Sequence, residues 1–586
     1  MKKDRWIWGI LNFLFPLCLL SFALIGVNQG ADLTDTTYSM GNYMYFDSMD
    51  GSWKYATFLA NLLGSRLILI TGGSFLWMNV ISKLLVGLIA VICYFCMKQY
   101  VSPYLVFAGE IIALGLCWCP TVIFYNYLSY LFFAVAALLL IKACREENSS
   151  FLFLAGCFLG INVMVRIPNV LQVLMILVVW YHVVKSDKGP KLKLFFQKTG
   201  VCIAGFAAGF LITVVIMILS GGGGGFSAMV EWLMSMLISG SDSGGYSAGA
   251  MLGNIMEDYA LNLKWTFIIV AGMALGCFLF RKWNEKYLWV AKAGYICCLA
   301  VMVVYFYRNW VFRLDYGNYS AIFNLSVIFI MLGSVLAVWQ LTVNRKEERE
   351  SELAILLLVI FAISPLGSNN HLYSSINNFF VAAPIVIHLM KKMADKYREK
   401  REGFPIRWMM RTFVLLLGAQ SFFFHLEYVF RGPAVSEYRN YCLQEANVMN
   451  GMRTNEAHGK AMEELCSFMK ESKSDRIVLY GEIPGVSYLL GQECAVSTSW
   501  PDLASFSLED WEDDLRSVGD WNEVSIIVSP DIIMWFGAEE ITEEELPSFM
   551  AEDSGMEKVQ ALYEVIQGEG FTVVFENEEF VVYQTE

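Results

Sequence analysis

At 586 residues, with 56% hydrophobic and only 17% charged side chains, the chain falls well short of the ~25% charged typical of soluble domains. From Pro433 onward there are 8 Lys/Arg against 32 Asp/Glu, a net −24, which leaves +11 for the rest of a chain whose total is −13. These numbers exclude a disordered, fibrous or disulfide-scaffold protein, make a nucleic-acid partner unexpected, and point to a membrane part and an acidic part in different surroundings.

Apolar segments that could span ~30 Å of hydrocarbon occur near 7–27, 75–97, 103–119, 121–142, 151–166, 168–184, 199–219, 263–280, 286–306, 319–342, 352–365, 377–390 and 407–428. The expectation is a polytopic α-helical membrane protein of about thirteen transmembrane helices over residues 1–430. Lys and Arg alternate with this count. If Lys2, Lys3 and Arg5 are inside, so are Lys142/Arg145, the 185–198 lysines, Arg281/Lys282, Arg345/Lys346 and the 391–401 cluster. A cytoplasmic N-terminus in the cell membrane follows, and an odd number of spans puts residues 433–586 outside. The first segment is span-length and lacks a clear small-x-small cleavage site, so it reads as an uncleaved helix.

In chain order, the first expected outer loop, 28–73, is the longest. It runs Gly30-Ala-Asp32-Leu-Thr-Asp35-Thr-Thr-Tyr38-Ser-Met-Gly-Asn42-Tyr, then an amphipathic stretch at 53–70 suited to the membrane interface. A carboxylate at that boundary has its pKa raised by reduced dielectric, which suits a general base. The plainer reading is that Asp32 caps a helix and Asp35 faces water. Tyr125-Asn126-Tyr-Leu-Ser129 opens the fourth span with a polar face, and Asn126 there is costly unless paired. Arg166-Ile-Pro-Asn169 sits at another outer mouth, where the guanidinium either snorkels to headgroups or binds phosphate oxygens.

The loop 220–262 holds five consecutive glycines, 221–225, but no Gly-Lys-Ser/Thr, so it reads as an outer loop closing over a ligand rather than an ATP loop. Arg308 and Arg313 are outer cations against the positive-inside trend, which favours anion binding, and Ser364–His371 adds polar groups that could equally be hydrated. Fourteen Cys lie mostly in apolar runs, and five His lack metal-ligand spacing, so no metal site is expected. The acidic region 433–586 alternates helical patterns (457–471, 546–568) with β runs at 476–480, 524–528, 572–576 and 579–583, a small α/β domain.

A short basic start, one helix, then Asp32-Leu-Thr-Asp35-Thr-Thr-Tyr with an interfacial helix resembles the GT-C membrane glycosyltransferases, specifically bacterial members related to protein mannosyltransferases and lipid A aminoarabinose transferases. Tyr125–Ser129 and Arg166–Asn169 resemble that family's later outer-mouth motifs; Asp-x-x-Asp departs from its Asp-Glu or Asp-Asp doublet. The resemblance implies an integral membrane enzyme moving a sugar from a polyprenyl-phosphate donor to an envelope acceptor (glycan, lipid or protein) at the outer face. It implies Asp35, or else Asp32, as catalytic base and Arg166 with Arg308 or Arg313 on the donor phosphate. Tyr38, Asn42, Asn126, Asn169 and His371 are candidates for substrate contacts. No cofactor is implied for a monophosphate donor, and a divalent cation near Asp32 and Asp35 for a diphosphate. The alternatives are a transporter or flippase, a glycan polymerase or ligase, and a non-enzymatic envelope assembly protein. The scarcity of ionisable residues at span midpoints, where only Lys83, Glu110 and Lys292 come near, weighs against transport.

Overall fold

The computed structural model describes residues 2–49, 51–186, 190–221, 227, 230, 248–432, 438–503, 506–537 and 555–585. Among them, nine helices are long and apolar enough to cross a membrane: Trp6–Ala23, Phe75–Met97, Phe124–Glu146, Ile167–Lys185, Lys191–Ser220, Gly249–Lys282, Glu285–Arg308, Tyr319–Thr342 and Gly403–Glu427. This places the protein in a membrane, but it is fewer than the thirteen expected. Apolar runs near 103, 151, 352 and 377 become helices Pro103–Gly115, Ser149–Val163, Glu348–Ile363 and Ala382–Lys396, of 13 to 16 residues. At 1.5 Å per residue they reach only about 20–24 Å. They pack against the long helices, and in Pro103–Gly115, Glu348–Ile363 and Ala382–Lys396 most side chains are buried.

The stretch expected as loop 28–73 is largely helical, with Asp35–Met44, Gly51–Ala56 and Phe58–Thr71. Within the expected loop 220–262, the helices Lys191–Gly221 and Ala248–Lys282 take up its two ends. The glycines at 222–225 and Ser239–Tyr246 lie outside the described residues.

Close helix packing has a visible sequence cause. Gly156 and Gly160 on Ser149–Val163 face Gly205 and Gly209 on Lys191–Gly221, and a Cβ on any of the four would sit 2.0 or 2.1 Å from a carbonyl oxygen of the facing helix. Small residues four apart let two backbones approach where lipid supplies no hydrophobic drive.

The C-terminal part carries strands β1 (Tyr441–Cys442) and β2 (Arg453–Thr454), an antiparallel pair. A five-stranded sheet follows: β3 (Arg476–Tyr480), β4 (Glu493–Cys494), β5 (Val524–Val528), β6 (Thr572–Glu576) and β7 (Val581–Gln584), in the order β4-β3-β5-β7-β6. β3 runs parallel to β4 and β5, while β7 is antiparallel to β5 and β6. Helices Glu456–Glu471 and Gly555–Gly568 cover it.

Alternation along the central strands sends side chains to two cores. Val478, Tyr480, Ile526 and Val528 pack with Trp511 and Leu562. Ile477, Leu479 and Ile527 pack with Met462 and Leu465, and also with Ala31, Leu33, Met40, Tyr43, Phe75 and Met78 from the N-terminal part. One apolar core therefore crosses the boundary that charge alone places at 433.

Candidate functional site

Asp32 and Asp35 begin a helix, and local hydrogen bonding separates them. Asp32 Oδ1 accepts from the Thr34 amide (3.0 Å) and hydroxyl (2.5 Å), and Oδ2 from the Thr36 amide (2.9 Å). It caps the turn, satisfying amides that a helix start leaves orphaned. Asp35, in the first turn of Asp35–Met44, lines a cavity of about 450 Å³. Burial foremost, then the adjacent Asp32 carboxylate, raises its carboxyl above the usual 3.8, while Arg431 pulls it down. Such a carboxyl is a stronger base than an exposed one.

The segment leading to Asp35 is held by the C-terminal part. Arg453 N donates to Asn28 O (2.8 Å) and Gly30 N to Arg453 O (2.9 Å), while Gly485 N donates to Leu33 O (2.8 Å). Only glycine fits at 485, since a Cβ would meet Thr37 Oγ1 at 1.8 Å. The His458 ring lies with Nε2 2.7 Å from Ala31 O and Nδ1 2.6 Å from Glu579 Oε2. Burial alone would lower its pKa, but Glu579 and the Ala31 carbonyl reverse that and raise it. On the far side of the helix, the Tyr43 hydroxyl donates to Val122 O (3.0 Å) and accepts from Phe124 N (3.1 Å). That pair fixes Asp35–Met44 against the start of Phe124–Glu146, whose Tyr125, Asn126 and Tyr130 line the same cavity.

Arg166 and Arg431 complete the charged wall. Arg166 Nη2 donates to Gly367 O (3.3 Å), and its guanidinium lies 5.8 Å from the Tyr125 ring. The remaining wall is amide and aromatic: Asn318, Tyr319, Asn370, Asn377, Trp118 and Tyr428. Asn377 Nδ2 donates to the Tyr130 hydroxyl (3.1 Å), and Trp118 Nε1 to Tyr373 O (3.1 Å). One carboxylate, two guanidiniums and a ring of aromatic and amide groups suit a polar ligand that carries negative charge and hydroxyls.

Of the residues singled out from sequence, Asp35, Asn126 and Arg166 meet in this cavity. Asp32 lines a neighbouring one. Tyr38 and Asn42 line a third, of about 90 Å³, against Thr498 and Ser499, and the Tyr38 ring meets Trp500 edge-on at 5.2 Å. Asn169 is buried among helices; its amide donates to Ser129 Oγ (2.6 Å) and Asn162 O (3.0 Å), so its polarity serves packing. Arg308 ends its helix exposed, and Arg313 sits 4.7 Å over Trp310; neither lines the Asp35 cavity. His371 Nδ1 lies 3.2 Å from Asp258 Oδ1, leaving its neighbours Ser368 and Asn370 to face the cavity. Arg431 was missed, although a cation just beyond the last long span on the expected outer side breaks the same charge trend as Arg308. Among the described residues, no three His, Cys, Asp or Glu side chains gather as a metal site.

No family model matches the chain, and no curated protein matches it. Among solved structures it is similar to the Archaeoglobus fulgidus oligosaccharyltransferase, crystallised in complex with Zn and sulfate, with a TM-score of 0.48 and 11% identity over 97% of this chain and 73% of that one. A likeness at this level leaves function to be read from the cavity's own side chains.

Proposed function

We propose that the protein is a membrane glycosyltransferase of the GT-C kind, taking a sugar from a polyprenyl-phosphate donor to a hydroxyl-bearing envelope acceptor at the outer face of the cell membrane. The observation that carries this reading is Asp35, raised by burial, lining one cavity with Arg166 and Arg431. In the proposed step Asp35 takes the acceptor hydroxyl proton as that oxygen attacks the anomeric carbon. The bond from that carbon to the lipid phosphate breaks, and the electron pair leaves on the phosphate. Arg166 and Arg431 balance the departing charge in a site of reduced dielectric. Asn126, Asn318 and Asn370 offer amides to sugar hydroxyls, and Trp118 and Tyr319 offer ring faces. Attack from the side opposite the phosphate inverts the anomeric centre. Asp32 and Asp35 line different cavities, so a cation held by both, as a diphosphate donor would favour, finds poor support in this donor set.

The test is turnover of a panel of polyprenyl-phosphate sugars by the full chain in lipid, followed by mass spectrometry. Asp35→Asn is expected to lower turnover by about 10²–10⁴-fold, the usual worth of a positioned base. Arg166→Gln and Arg431→Gln are each expected to lower it by about 10²–10³-fold, as for one lost charge-stabilising group. Sugar loss from the lipid that is equal in wild type and Asp35→Asn would rule Asp35 out as the base.

A further inference from the structure

Beside the Asp35 cavity, and sharing Trp118, Cys119 and Tyr428 with it, lies a second cavity of about 130 Å³ between the ends of Trp6–Ala23, Phe75–Met97 and Gly403–Glu427. Two cations reach it from different parts of the chain: Lys83 from a spanning helix and Arg439 from the C-terminal part. Arg439 is 2% exposed, and its one hydrogen bond, from Nη2 to Glu427 O, is 2.9 Å. Its Nε and Nη1 are buried and have no partner. Lys83 Nζ donates only to Ile25 O (2.6 Å) among the described residues. Neither cation has a carboxylate within ion-pair distance among the described residues; Asp32, on the same wall, already spends both oxygens on Thr34 and Thr36.

A buried guanidinium with two idle donors is costly unless something accepts from it. Nε and Nη1 lie on different edges of the planar group, so an anion in the cavity gives at least one of them an acceptor, and an anion with several oxygens has others left for Lys83. The volume matches about four waters at ~30 Å³ each, space enough for one phosphoryl group. We propose that this cavity is a second anion site, in which Arg439 and Lys83 bind a phosphoryl group other than the one departing at Arg166 and Arg431. The shared chemistry is a phosphate ester or anhydride, supplied by the distal phosphate of a lipid diphosphate or by a phospholipid headgroup. Because Arg439 belongs to the C-terminal part, occupancy would tie that part to the helices around Asp32.

The test reads binding rather than turnover. The thermal midpoint of the full-length protein in phosphate-free detergent is followed against inorganic phosphate, with sodium chloride at equal ionic strength as control. Wild type is expected to rise saturably with phosphate above the chloride control. Arg439→Gln and Lys83→Gln are each expected to weaken apparent affinity at least about tenfold, as for a lost hydrogen bond to a charged group, while Arg166→Gln keeps the response. Polyprenyl diphosphate and phosphatidic acid, titrated in parallel, identify the source by which acts at lower concentration. No rise above chloride with any of the three, or equal responses in wild type and both variants, overturns the proposal. If Arg439→Gln does not fold, Lys83→Gln and the wild-type comparison decide it. Asp35→Asn separates the two readings: it keeps the phosphate response even where turnover is absent.

Discussion

Asp32 and Asp35 are three residues apart and differ in what surrounds each carboxylate. Three donors from Thr34 and Thr36 hold Asp32 in a cap, whereas Asp35 faces a cavity with a cation for company. If Asp35 is the base, the acid limb of kcat/KM falls above the ordinary Asp value near 3.9, because its folded pKa is raised. Asp32→Asn removes the second of the two raising influences and should move that limb to lower pH, measured as kcat/KM against pH; an unmoved limb would show that the titrating group is elsewhere. A second carboxyl gives a stability prediction. Asp502, 8% exposed, accepts from the Gly481 amide (2.9 Å) and the Glu482 amide through Oδ2, while Oδ1 has no partner. Burial pushes its pKa up to about 6 from 3.8. The folded form binds this proton more tightly, so this group's contribution to stability is fully present below pH 4 and is lost as pH rises through about 6, by ~3 kcal/mol in all. Asp502→Asn keeps an acceptor for both amides and removes the charge; thermal melts should show the variant more stable than wild type at pH 7.5 and not at pH 4. At this scale, the sequence announces Asp35 and Arg166 through their local motifs, Asp32-Leu-Thr-Asp35 and Arg166-Ile-Pro-Asn169. It conceals that Asn169 turns inward toward Ser129 and that Arg431 turns toward Asp35, because partners distant in the chain decide both.

Helices and strands were unequally legible for a physical reason. Arg476–Tyr480 and Val524–Val528 are continuous β-branched and apolar runs bounded by turn residues, and they become the buried centre of the sheet at those positions. Hydropathy does not separate a short buried helix from a span, since both exclude water; length does, and so 103–115 and 348–363 are helices that pack within the bundle. The glycines of 156–160 and 205–209 look unremarkable in sequence until the two helices are seen with backbone against backbone. Gly209→Ala would push a methyl to 2.0 Å from Cys157 O and should destabilise the protein by about 1–3 kcal/mol, as overpacking does. Gly253→Ala, with open space around its position, is the matched control. Equal thermal midpoints for the two variants would contradict the close crossing.

Across the whole molecule, charge and hydropathy divide the chain near 433, but the apolar core does not respect that division. Met40, Tyr43, Phe75 and Met78 share a core with Met462, Leu465, Ile477 and Tyr488, and the Tyr488 hydroxyl donates to Gly73 O (2.5 Å). A chain ending at residue 432 would expose that apolar face and lose the bonds on residues 28–33. It is expected to elute as aggregate in size-exclusion chromatography and to be cleaved within 28–73 under limited proteolysis, where the full chain is protected. A monodisperse, protected truncation would show that the two parts fold separately.

The bonds on residues 28–33 also order events in time. The residues around Asp35 are made well before their fastenings, Arg453, His458 and Gly485, and His458 is itself held by Glu579 beside β7. A ribosome therefore delivers the candidate base hundreds of residues before it delivers what sets that base in place. In a half-made chain already in the bilayer, the segment before Asp35 would still lack these fastenings, and completing the β6–β7 pair would be among the last steps that set it in place.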